Sequence, residues 1–92
     1  MENYLAEGCS ELVRTSPDDE FTIRSLSRND PKFQAICEDF GVALNALHRF
    51  QAQGRSEQAR ASEYKQISED LRLELMEYVS SCKARNKDPG DH

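Results

Sequence analysis

Apolar residues recur along this chain at intervals of three and four, in separate runs divided by Pro and Gly. The first run, residues 2–14, sets Tyr4, Leu5, Cys9, Leu12 and Val13 at helical spacing and predicts a short amphipathic helix. It should stop near Thr15, because Pro17 pushes Ser16 out of the α region. A second start follows in SPDDEF, with Ser16 as N-cap, Pro17 in the first helical position and three acids in the first turn. The continuation FTIRSLS, with β-branched residues and two serines, fits either a short helix or irregular chain.

The third run opens with NDPKFQAICEDF. Asp30 is an N-cap and Pro31 a first position, after which Phe33, Ile36, Cys37, Phe40, Ala43, Leu44 and Leu47 share one arc of a helix. The helix should end around Gln53, with Gly54 just beyond it. The last run predicts a helix from about Ser56 to about Lys83, on the order of 40 Å long at the helical rise. Its main stripe is Tyr64, Ile67, Leu71, Leu75, Tyr78 and Cys82, and Leu73, Met76 and Val79 add a second apolar face.

The short Gln53-Gly54-Arg55 connection turns the two long helices into an antiparallel hairpin. One neighbour cannot cover both faces of the last helix. The second face therefore meets either the N-terminal helix or another copy of the protein. The fold expected is all-α: a hairpin of two long helices plus a short N-terminal helix, completing a three-helix bundle or a dimeric bundle. Residues 1–92 form one domain, with 1–28 the N-terminal helix and connecting segment, 30–83 the hairpin and 84–92 a flexible tail.

Composition narrows the function. The chain carries 17 acids and 12 bases, a net charge of −5, and neither half offers the basic stripe that a phosphate backbone requires. Nucleic acid and polybasic membrane anchoring are disfavoured, whereas a basic protein partner suits the charge. No stretch has the length of a membrane span, and the first residues lack the features of a signal peptide. Cys9, Cys37 and Cys82 are an odd number at wide spacings, which is neither a disulfide framework nor a zinc spacing, and a reducing cytoplasm is expected.

Cys37 stands beside Glu38 and Asp39, but on a helix these acids rotate roughly 100° and 200° away from it. The expectation is a buried thiol with two solvated acids. His48 falls in line with Cys37 but eleven residues on, about 16 Å along the helix, too far for shared ligation or a proton relay. Only Cys9 or Cys82 from another helix could complete a Cys–His pair. Gly41 sits mid-helix and is expected to admit a close neighbour such as Tyr64. Glu57/Arg60 and Glu69/Arg72 are i,i+3 pairs on an exposed face. No phosphate loop, HExxH or GxSxG pattern is present, and no cofactor or small-molecule substrate is implied.

The stretch LSRNDPKFQAICEDF…ALNAL, from Leu26 to Leu47, with the returning YKQISEDLRLELMEYV, resembles the small bacterial helical-hairpin proteins of the YdcH-like kind. Leu26, Phe33, Ile36, Phe40 and Leu47 occupy that family's apolar places. Ser68-Glu69-Asp70-Leu71 and Leu75-Met76-Glu77 depart from its Leu-Lys, Lys-Asp signature, and the N-terminal 25 residues are extra. The resemblance implies a hairpin and no catalytic residue.

The expectation for function is a non-catalytic protein-interaction or self-associating module. Its surface is Leu73, Met76 and Val79, with Tyr4 or Leu12 competing to cover it. The alternatives are an acidic regulator, antitoxin-like or anti-activator, that sequesters a basic protein, and a thiol- or metal-dependent enzyme.

Overall fold

The cap at Asp30 organises the centre of the chain. In the computed structural model, which describes residues 3–86, Asp30 Oδ1 accepts the backbone N–H of Lys32 at 3.0 Å and that of Phe33 at 3.2 Å. Pro31, whose missing N–H costs nothing there, takes the first helical position. The other Asp30 oxygen accepts the hydroxyl of Tyr78 at 2.9 Å, so the cap of one helix is fastened to the far end of another.

The protein is all-α, with no strand among the described residues. Helix α1 spans Tyr4–Thr15, α2 Glu20–Asn29, α3 Pro31–Ala52 and α4 Gln58–Asn86; 3-10 turns cover Pro17–Asp19 and Gly54–Glu57. Asn3 caps α1 by accepting the N–H of Ala6 at 3.0 Å. Segment 17–28, which the pattern leaves between helix and irregular chain, is a 3-10 turn running into α2. Two short helices thus precede the long ones rather than one. Ser16 makes no side-chain cap, because its hydroxyl reaches across to Met76 Sδ at 3.8 Å instead. Helix α4 continues past Lys83 to Asn86, and the remainder of the expected tail, 87–92, lies outside the described residues.

Helices α3 and α4 pack antiparallel, and aromatic pairs mark both ends. Phe33 meets Tyr78 edge-on at 5.4 Å near the start of α3, and Phe50 stacks on Tyr64 at 5.6 Å near its end. Arg60 adds a guanidinium 5.9 Å from the Phe50 ring. Gly54 turns the chain with φ 80, a conformation other residues adopt at a cost. The result is elongated, 57 × 25 × 20 Å, with a radius of gyration of 15.0 Å. A compact chain of this length would give about 12 Å.

Helix α1 lies across α3, and the crossing rests on two glycines. A Cβ on Gly41 would fall on the Tyr4 carbonyl oxygen, and one on Gly8 on the Cys37 carbonyl oxygen. The close neighbour of Gly41 is therefore the backbone of α1, not Tyr64. From the crossing α1 reaches α4 at Ser16, and α2 folds over the end of the hairpin. Asp19 holds Lys83 at 2.5 Å, and Ile23 and Leu26 join Leu12, Phe33, Cys37, Phe40, Leu75 and Val79 in one core.

Register on α4 differs from the expected stripe. Ala61, Ser68, Leu75 and Val79 are the buried positions, while Ile67 is 44% exposed. Small side chains at 61 and 68 lie on the side facing α3, where α3 brings in larger apolar groups such as Phe40 and Leu44. That packing rotates Ile67, one residue away, toward water.

Two outcomes follow. Gly41→Ala, which in an open helix would gain about 1 kcal/mol, should instead destabilise by about 1–3 kcal/mol through overpacking, measured by denaturant unfolding. The N–H groups of Phe33 and Lys32 and the hydroxyl of Tyr78 hold the Asp30 carboxyl below its ordinary value of 3.8. A depressed folded-state pKa contributes stability that is present above 3.8 and is lost as pH falls through the lower, folded-state value. Asp30→Asn, which keeps a capping oxygen, should therefore show a smaller drop in melting temperature on acidification than wild type.

Candidate interaction surface

The thiols come first, because NDPKFQAICEDF sets one beside two carboxylates. Cys37 is fully buried, and Glu38 and Asp39 are exposed on other sides of α3. Burial pushes the Cys37 thiol up to about 12, the neighbouring Cys9 adds to the rise, and a hydrogen bond with Ser27 opposes it. Ser27 Oγ also lies 3.4 Å from Cys9 Sγ. A thiol held this high is protonated at neutral pH and is a poor nucleophile. His48 is exposed on α3, and among the described residues no three His, Cys, Asp or Glu side chains gather as a metal-binding group. Nor is any described helix long and apolar enough to cross a membrane.

The five residues expected to form a surface fall into three environments. Leu12 and Val79 are fully buried, at 0% and 1% exposure, and belong to the core. The second face of α4 is divided rather than left open, because α2 and the turn before it close over the Val79 edge. Tyr4 is half-buried where its backbone meets Gly41. Met76 is half-buried beneath Ser16, and Leu73 stands 53% exposed on the outward side of α4.

Helical geometry dictates what surrounds Leu73. Its neighbours at i−4, i−3, i+3 and i+4 are Glu69, Asp70, Met76 and Glu77. The three acids are exposed, and so is Glu74. Arg72 bonds Glu69 at 3.1 Å from the flank, and Gln66 donates to Asp70 at 3.0 Å; Glu77 carries no basic partner among the described residues. Leu73, Met76, Glu77, Ser80 and Ser81 line one shallow depression. The arrangement is an apolar pair with an acidic rim. It offers no nucleophile and no proton relay.

Two exposed apolar side chains, Phe21 and Val42, escaped the sequence pattern. Phe21 is 82% exposed on α2, with Ile23 and Leu26 turned to the core on the other side. It lies in a run whose helical phase the pattern does not determine, and a single exposed aromatic calls for no special role.

Comparison of the chain with protein-family models, with curated proteins and with solved structures finds no match.

Burial sets the expected thiol chemistry. In the native protein at neutral pH, iodoacetamide should leave Cys37 unmodified, and Cys37 should react only after unfolding. Mass mapping of the alkylated sites checks this; rapid native modification of Cys37 would contradict a buried, protonated thiol.

Proposed function

We propose that this chain is a non-catalytic protein-interaction module that docks a basic segment of another protein on the outward face of α4. The observation that carries this reading is Leu73, exposed and ringed on its own helix by Glu69, Asp70 and Glu77. An apolar centre inside a charged rim suits a segment with one apolar anchor flanked by Lys or Arg. The anchor contributes affinity, and the rim contributes orientation and association rate.

The same rim argues against self-association through this face. Two copies meeting here would set like-charged carboxylates against each other. Within this proposal the chain acts as an acidic regulator that occupies a basic surface of its partner. The α3–α4 pair would be the unit corresponding to the YdcH-like hairpin, with α1 and α2 as additions.

The test is affinity capture by the wild-type chain beside a Leu73→Lys/Glu77→Lys chain, at low and raised salt. Proteins held by the first, lost by the second and released as salt rises are the expected outcome. A captured set indifferent to both the substitutions and the salt would overturn the proposal. Solution mass against concentration should show a monomer, and a dimer abolished by Leu73→Lys would transfer this face to self-association.

A further inference from the structure

Helix α4 carries a second polar flank of opposite sign. Lys65 and Arg72 leave the helix roughly 80–100° round from Leu73 and border a half-open cleft of about 340 Å³ between α1, α3 and α4. Helix α1 makes the cleft by crossing the hairpin obliquely, so that Arg14 overhangs a notch whose apolar wall is Phe40, Leu44 and Leu47.

Three features mark this cleft as more than a packing defect. Its walls hold the cations Arg14, Lys65 and Arg72 against the carboxylates Glu11 and Glu69, so with His48 neutral its formal charge is positive in a chain of net charge −5. Arg14 is held by Glu11 at 2.6 Å and Arg72 by Glu69 at 3.1 Å, yet each guanidinium has five N–H donors and keeps some to spare. Lys65 makes no ion pair or hydrogen bond among the described residues. The third feature is Ser68, a wall residue of the cleft that is 5% exposed and whose Oγ has no hydrogen-bond partner among the described residues. A buried hydroxyl left unpaired is costly, and native proteins leave few of them.

We infer that this cleft binds a small amphipathic carboxylate, its head between Arg14, Lys65 and Arg72 and its apolar body along Leu44 and Leu47. The excess of a single positive charge matches a monoanion better than a phosphate dianion. The volume lies at the lower end of ordinary small-molecule pockets, which span roughly 300–1,000 Å³. Ser68 Oγ exposes less than 1 Å² beneath the floor, and the ligand satisfies it by displacing the side chains that cover it. This inference does not rest on the docking face: Glu69 belongs to both surfaces, but Leu73 is not part of the cleft and lies about 80° round α4 from Lys65.

The test is an amide chemical-shift titration of the full chain with octanoate, beside octan-1-ol and inorganic phosphate. Octanoate should produce saturable shifts at Leu44, Lys65 and Ser68, with octanol and phosphate each binding about tenfold more weakly or worse, as loss of a charge-assisted hydrogen bond implies. Lys65→Glu, at an exposed position that holds nothing together, should leave the melting temperature unchanged and weaken octanoate by a similar factor. Ser68→Ala should raise the melting temperature and still weaken octanoate, a combination that a purely structural serine would not give. Leu73→Lys should bind octanoate as wild type does, which separates this cleft from the docking face. Octanol binding as tightly as octanoate, octanoate binding Lys65→Glu undiminished, or no saturable shift at cleft amides would each overturn the inference.

Discussion

The backbone-to-backbone approach of α1 and α3 at Gly8 and Gly41 sets where everything else lies. With no Cβ on either glycine, the Tyr4 and Cys37 carbonyls meet the opposing helix directly. Such an approach leaves the crossing point little freedom, because protein interiors are close-packed and no flexible side chain intervenes to absorb a shift. From that point α1 reaches α4 at Ser16. The turn after it brings Asp19 to Lys83, and α2 closes over the end of the hairpin. Leu12 and Val79 are sealed into the core by this path, and Leu73 is left outside it.

The oblique crossing also decides how α4 uses its charge. Viewed along its axis, α4 has a buried line of Ala61, Ser68, Leu75 and Val79, an acidic outward face around Leu73, and a basic flank at Lys65 and Arg72 beside α1. One helix thus carries an acidic face and a flank whose lining has a formal excess of one positive charge. The net charge of −5 sums over the whole chain and hides this division. The thiols stand apart from both surfaces. Cys9 and Cys37 behave as small apolar residues sharing Ser27, which accords with their depth.

Much of the fold was legible because it depends on local chemistry. The Asp30-Pro31 start, the end of α1 near Thr15 and the positive φ at Gly54 are decided by capping geometry and the fixed dihedral of proline, which neighbours in sequence supply. Cys37 inside with Glu38 and Asp39 outside follows from helical rotation alone. The candidate surface was only half legible. Leu73 and Met76 belong to an apolar excess visible in the pattern, but Val79 and Leu12 belong to it equally, and the pattern cannot say which α2 covers. Ser68 gave no signal, because a serine between Ile67 and Glu69 reads as a solvent position until α3 packs against it.

By itself the sequence determined an all-helical chain, the places where its long helices start and turn, and an acidic balance of charge. Those properties are written in residues three or four apart, where helical periodicity and caps operate. Tertiary structure alone decided that Ser68 rather than Ile67 faces inward, that Gly41 receives Tyr4 rather than Tyr64, and that a cationic cleft opens in an acidic protein. The first depends on how α4 packs against α3, and the other two on where α1 crosses α3. That crossing comes from the mutual fit of two backbones, Gly8 against Cys37 and Gly41 against Tyr4, which no local spacing encodes.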